Sequence, residues 1–229
     1  MAPQQLPLDL AFRPALGMAD FVIAPGNRDA VAWIDRWPDW PSHALAIHGP
    51  KGSGKSHLAH VWQAHSNAVF LHAPPADDAA LPRAIVLDGL EWPSVDWPEA
   101  ALFHLHNRLR EDGGHLLIVS ETPPARWPVA LPDLASRLAA IPAVALEAPD
   151  DDLLVAVMAK QFADRGLEVN EDVLRYVAAR VERSFATAAE VVAAIDRTAL
   201  AQQRKVTLAM VRTLVNSPSP LAGEGRDGG

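Results

Sequence analysis

The chain has 229 residues, 49% of them hydrophobic and 21% charged, which is enough apolar content to bury a large core and excludes wholesale disorder. A net charge of −8 excludes a strong autonomous duplex binder with a basic face, leaving room only for a local basic patch, and the absence of cysteine excludes disulfides and thiolate metal sites. The N-terminus has no basic stretch followed by an apolar run, and no segment approaches bilayer length, so the expectation is a soluble cytoplasmic protein without a membrane partner.

Residues 1–20 carry prolines and little periodicity and read as an extended tail. Residues 27–37 then place Ala30, Val31, Ile34 and Trp37 on one helical face. Five apolar runs follow, at 44–48, 68–72, 84–88, 115–119 and 143–147, with helical patterns at 55–66, 98–111 and 131–140. Gly113-Gly114 stops the second helix and Pro123-Pro124 bars one directly after the fourth strand. The runs are continuously apolar, as strands covered on both faces are, so residues 21–149 predict an α/β core with a parallel sheet. From 150 the pattern is helical throughout, at 150–164, 171–182, 186–204 and 207–215, with Gly166 as a stop and Asn170 and Thr207 as N-caps. Residues 150–216 are thus expected to form a separate all-α subdomain, and the Pro/Gly/Ser-rich stretch 217–229 a disordered tail.

Between the first strand and its helix lies Gly49-Pro50-Lys51-Gly52-Ser53-Gly54-Lys55-Ser56, a complete phosphate-binding loop in the strand–turn–helix context that its chemistry requires. Glycines let the backbone wrap an anion and aim N–H groups at it, and the helix N-terminus adds partial positive charge. Lys55 is placed to reach the β- and γ-phosphates, and the Ser56 hydroxyl to ligate Mg²⁺. The expected ligands are therefore ADP or ATP with Mg²⁺. A second acidic group should stand at the end of a neighbouring strand, and Asp88 closes Ile85-Val86-Leu87-Asp88. Hydrolysing relatives of this class often place a carboxylate next; here Gly89 stands there and the following acid is Glu91, so hydrolysis by the chain alone should be slow. Ser120 and Glu121 compete for the γ-phosphate-sensing position after the fourth strand. Arg137 precedes the fifth strand, where an arginine finger acting on a neighbour's phosphate would stand. His57 and His60 are three apart but lack the further ligand of a metal motif, and Trp33, Trp37 and Trp62 read as core residues.

The order Phe21-Val22-Ile23 to Asn27, phosphate loop, Asp88, Ser120-Glu121-Thr122-Pro123-Pro124 and Leu131-Pro132-Asp133-Leu134-Ala135-Ser136-Arg137-Leu138 resembles the AAA+ module of the replication initiator DnaA. Two features are more similar to the shorter Hda family: the sequence ends after the helical lid, without the initiator's helix-turn-helix domain, and it begins Gln5-Leu6-Pro7-Leu8-Asp9-Leu10. The latter resembles the peptide with which Hda binds the DNA polymerase sliding clamp. Its alternating leucines and one amide also suit an extended segment entering a partner's pocket. The resemblance spans roughly residues 5–216 and implies an AAA+ core with a C-terminal lid. It further implies binding of the clamp β subunit through Gln5, Leu6, Leu8 and Leu10, a preference for ADP, and stimulation of ATP hydrolysis by DnaA through Arg137. No strong DNA binding of its own is implied. One departure stands out: counting back from Asp196-Arg197, the lid arginine of many AAA+ modules falls at Ala189, with Arg183 or Arg180 as substitutes. Rival readings are a helicase loader, a nucleotide-dependent adaptor and a small-molecule kinase. The kinase would need an arginine-rich lid, whereas residues 186–195 are rich in alanine and valine.

Overall fold

The computed structural model describes residues 21–76, 78–202 and 204–216. The N-terminal tail, with Gln5, Leu6, Leu8 and Leu10, and the segment 217–229 lie outside the described residues.

Five strands, β1 (Ala44–His48), β2 (Val69–Phe70), β3 (Ala84–Asp88), β4 (His115–Ser120) and β5 (Ala143–Ala145), form one parallel sheet in the order β2-β3-β4-β1-β5. Because side chains alternate along a strand, the sheet sorts its residues into two layers. Leu45 and Ile47 of β1 and Leu117 and Val119 of β4 pack with α1 (Arg28–Asp35) and α2 (Lys55–Ser66), through Ala30, Ile34, Leu58 and Trp62. Ala44, Ala46, Leu116 and Ile118 face α3 (Glu99–Glu111) and α4 (Pro132–Ala140), through Leu102, Leu105, Leu134 and Leu138. Helix α3 ends as the double glycine predicts: Gly113 adopts φ +66°, its N–H donates to the Arg110 carbonyl, and Gly114 N–H donates to the Leu109 carbonyl. That pair of bonds satisfies carbonyls that a helix end would otherwise leave bare.

Several boundaries are shorter than the apolar pattern predicts, each for a local reason. Helix α1 stops at Asp35, not 37, because Trp37 precedes Pro38 and the proline ring disfavours helical backbone before it. The 68–72 run yields only Val69–Phe70 as an edge strand; Leu71 still donates to the Val86 carbonyl before Pro74-Pro75 removes the donors a ladder needs. Strand β5 ends at Ala145, since β1 itself turns into the loop after His48, whose carbonyl takes a last bond from Leu146 N–H, and Glu147 N–H on the outer edge donates to the Gly26 carbonyl.

Four helices follow: α5 (Asp151–Ala163), α6 (Glu171–Ala178), α7 (Phe185–Gln202) and α8 (Leu208–Asn216). They share a core of their own, including Leu154, Met158, Phe162, Val177, Val192, Ile195 and Val211. Asp150 caps α5 by accepting from Leu153 N–H at 2.7 Å. Thr207 accepts from Met210 N–H at 3.4 Å at the start of α8, whereas Asn170 occupies the N-cap position of α6 without a side-chain bond.

Trp62 is fully buried, stacked on Trp40 at 5.0 Å, and its indole N–H has no acceptor among the described residues. Trp62→Ala should cost about 3–5 kcal/mol of stability, and Trp62→Phe much less because no hydrogen bond is lost. Val95→Ala, at a fully solvated position, should stay within about 0.5 kcal/mol. Urea denaturation followed by circular dichroism checks all three.

Candidate nucleotide-binding site

The loop Gly49–Ser56 leaves β1 at the carboxyl end of the sheet, between β4 and β5, and runs into α2. Gly49 N–H donates to the Ser120 carbonyl at 3.3 Å, and a side chain there would meet the Leu146 carbonyl oxygen at 2.0 Å, so only glycine fits between the two strands. Gly52 needs glycine twice over. Its φ is +77°, and a Cβ would come within 2.2 Å of the Ser184 hydroxyl of the lid. Pro50 and Lys51 form the exposed outer part of the loop, while Ser53 is buried, its N–H donating to the Pro50 carbonyl and its hydroxyl having no hydrogen-bond partner among the described residues. Gly54 adjoins the Phe185 ring and starts α2.

Lys55 is 9% exposed, and its ammonium donates to the Gly49 and Pro50 carbonyls at 2.7 and 2.8 Å. Burial pushes its pKa down, while Glu121, Glu91 and Asp88 act in the opposite direction. A buried ammonium whose hydrogen bonds go only to the carbonyls of its own loop is matched by an anion seated in that loop. Ser56 donates to Asp88 Oδ1 at 3.1 Å, which brings together the two oxygens the sequence assigns to a hard cation. These residues fit a phosphate chain with Mg²⁺.

The neighbouring positions are less uniform. Ser120 is buried, and its hydroxyl donates to the Thr122 carbonyl at 2.7 Å, so its contribution to the loop is made by its backbone carbonyl. Glu121 is exposed and its charge acts on Lys55. Glu91 accepts from Glu121 N–H at 2.7 Å and so braces the end of β4. His48, just before the loop, is lowered in pKa by burial and then by Arg126 and Lys55. At the side of α2, Phe21 meets His57 edge-on at 5.3 Å, and Asn27 ties residues 22–27 together by accepting from Ala24 N–H and donating to the Val22 carbonyl.

Arg137 stands apart from this cluster. It lies past the middle of α4, which runs back toward the opposite end of the sheet, and its guanidinium covers the Phe103 ring of α3 at 4.7 Å. Its Nε is buried with no acceptor among the described residues. Glu99, in the first turn of α3, accepts from Ala130 and Leu131 N–H and so fixes the start of α4.

Residues Ser184 and Phe185, which no motif singles out, are the lid's contact with the loop: Phe185 N–H donates to the Gly52 carbonyl at 3.1 Å. They read in sequence as an ordinary helix start, and only the fold brings them to Gly52. Ala189 lies one turn further along α7, on the face of Phe185. The two arginines considered in its place are engaged elsewhere: Arg183 pairs with Asp151 at 3.1 Å, and Arg180 stacks on Tyr176 at 3.8 Å.

A parallel sheet of this order, with a phosphate loop after β1, an aspartate at the tip of β3 and a helical lid resting on the loop, defines an AAA+ protein. Residues 150–215 match the family model described as the lid domain of Hda. The chain thus has the fold of an AAA+ module, with a lid similar to that of Hda. Domain III of the Thermotoga maritima initiator DnaA is similar at a TM-score of 0.70 and 18% identity, over 88% of this chain and 95% of that one. AMPPCP-bound DnaA from Aquifex aeolicus is similar at 0.64 and 16%, over 78% and 64%. The Thermotoga maritima RuvB Holliday junction branch migration motor is similar at 0.54 and 16%, over 74% and 60%. At these identities the likenesses establish the fold. No helix among the described residues is long and apolar enough to cross a membrane.

Lys55→Ala should abolish most nucleotide affinity, and Asp88→Asn should weaken only the Mg²⁺-dependent part; titration with ADP and ATP, with and without Mg²⁺, checks both. His106 of α3 supplies a pH prediction. Burial, with the charges of Arg137, Arg110 and His43 behind it, lowers its pKa from 6.5 to about 4. Its folded pKa lies below its unfolded one, so between those values the unfolded chain binds the extra proton and stability falls as pH falls. Between pH 7 and pH 5 the loss from this group should be about 2 kcal/mol. His106→Asn should remove that part of the pH dependence in urea titrations at the two values.

Proposed function

We propose that this chain is a nucleotide-dependent regulator of replication initiation that stimulates ATP hydrolysis by DnaA and so prevents re-initiation. The observation that carries the reading is an Hda-type lid over residues 150–215 on a DnaA-like core whose Arg137 is held on α3, away from its own phosphate loop. An arginine so placed serves a neighbour's phosphate better than its own. Gly49–Ser56 and Asp88 would hold ADP or ATP with Mg²⁺, which would supply the anionic charge that the buried Lys55 ammonium is placed to meet. Glu91, the nearest acid after Gly89, is engaged by Glu121 N–H, which supports weak hydrolysis by the chain alone and an ADP-bound working state. Gln5, Leu6, Leu8 and Leu10 dock on the sliding clamp β subunit, tethering the regulator to newly replicated DNA in the cytoplasm. There Arg137 reaches the ATP held by DnaA and forks onto its phosphate oxygens, stabilising charge that develops as the terminal bond breaks.

Arg137→Ala should retain fold, nucleotide binding and clamp binding, yet lose the stimulation of DnaA by a factor of about 10³ or more. Lysine should rescue poorly because it lacks the planar fork. The measurement is ADP release from DnaA pre-bound to labelled ATP, with clamp loaded on DNA. Normal stimulation by Arg137→Ala overturns the finger assignment. Absence of stimulation by the wild type, with capture of a replicative helicase instead, assigns the chain to the helicase loaders. Gln5→Ala, or Leu8→Ala with Leu10→Ala, should weaken clamp binding at least about tenfold without loss of stability, and unchanged affinity overturns the docking peptide.

A further inference from the structure

From Arg197 to Asn216 the chain carries four cationic side chains, Arg197, Arg204, Lys205 and Arg212, and no Asp or Glu, in a protein whose net charge is −8. The fold gathers three of them around α8. Arg204 and Lys205 lie in the short connection between α7 and α8, which is anchored by the buried Val206 and by Arg204 N–H donating to the Ala199 carbonyl at 3.1 Å. Both side chains are exposed, and neither has an ion pair among the described residues. They border an open groove of about 600 Å³ whose other polar walls are Thr198, Gln202, Thr207 and Thr213. Where α8 packs on α6, Arg212 approaches the Tyr176 ring at 5.4 Å while Arg180 lies over it at 3.8 Å, so two more guanidinium groups converge beside the same helix. The other lid arginines are neutralised: Arg165 by Asp196, Arg175 by Asp152 and Glu171, and Arg183 by Asp151.

We propose that the exposed side of α8, with Arg204 and Lys205 at one flank and Arg180 and Arg212 at the other, is a weak, sequence-independent binding site for the phosphate backbone of duplex DNA. Exposed cations are donors that phosphate oxygens take, with the Gln202 amide and the Thr207 hydroxyl beside them, while the Thr198 and Thr213 hydroxyls donate to the Ala194 and Ala209 carbonyls. Tyr176 is occupied by guanidinium groups, so the face offers no free aromatic platform for stacking single-stranded bases. A duplex presents about one charge per 1.7 Å of its axis and is the denser partner. The overall charge of −8 keeps the affinity in the non-specific range, about 10⁻⁴–10⁻⁶ M at physiological salt. The face is remote in sequence from the phosphate loop and from Arg137, and the inference does not rest on the proposed function.

The test is fluorescence anisotropy of short labelled duplexes with the full chain alone, without clamp or DnaA, at salt from about 50 to 200 mM. Arg204→Gln with Lys205→Gln should weaken binding about tenfold or more at the low end and flatten the slope of log K against log salt by roughly 1.8. Arg204→Lys with Lys205→Arg, which preserves charge, should bind like the wild type, and unrelated duplex sequences should bind equally. Nucleotide titration of the glutamine variant shows whether it is folded. No duplex binding by the wild type at low salt overturns the proposal, as does unchanged binding by a folded glutamine variant. Tighter binding of an acidic peptide or of single-stranded DNA than of duplex reassigns the face to that partner and overturns it equally.

Discussion

The placement of β1 between β4 and β5 is the constraint from which the site follows. Because the three strands are parallel and in register at their carboxyl ends, His48 lies level with Ser120 on one side and Ala145 on the other. The chain leaving β1 must therefore pass between two backbones, and it does so with a glycine whose N–H is taken by the Ser120 carbonyl. The pairing of β3 with β4 then sets Asp88 beside Val119, one strand further over, where its carboxylate meets Ser56. A crevice outside the strand ends is where open α/β sheets bind ligands, and here the strand pairing brings the loop, the lysine and the acid there together.

Among the described residues the lid meets that crevice through one backbone bond and two close approaches. Phe185 N–H holds the Gly52 carbonyl, Ser184 occupies the space that a Cβ of residue 52 would take, and the Phe185 ring lies against Gly54. Any change in the course of the loop is therefore felt at the first turn of α7, and α7 runs the length of the lid core through Ala188, Val192, Ile195 and Ala199. The lid meets the loop by shape. With Ala189 on the adjoining turn, Arg183 held by Asp151 and Arg180 stacked on Tyr176, no arginine of α7's first turns adds charge at this contact.

On the other side of the sheet, the α3–α4 pair carries its own polar economy. Glu99 holds the two amides that open α4, Phe103 lies under the Arg137 guanidinium, and buried His106 stays neutral near neutral pH beside two arginines. A cation stacked on an aromatic ring, with its Nε out of water, keeps fewer conformations than one on an open helix surface, and so loses less freedom on meeting an anion.

Elements whose cause is local were legible in the amino-acid order. The β1, β3 and α2 boundaries, the Gly113-Gly114 helix stop, the phosphate loop and the Ser56 and Asp88 pairing follow from side-chain period, glycine conformation and motif spacing. The resemblance carried by the Leu-Pro-Asp-Leu-Ala-Ser-Arg-Leu string likewise needed no coordinates. Elements whose cause is a distant partner were not legible. Strand β2 shrank to two residues at the sheet edge, and β5 was cut short where β1 turns into the loop. Ser120 spent its hydroxyl on Thr122, Glu91 on the amide of Glu121, and Ser184 and Phe185 became part of the site from more than a hundred residues away. The period of a pattern records which face of an element is buried. Which polar atoms meet across that face depends on how elements far apart in the chain are laid together, and only the tertiary structure decides that.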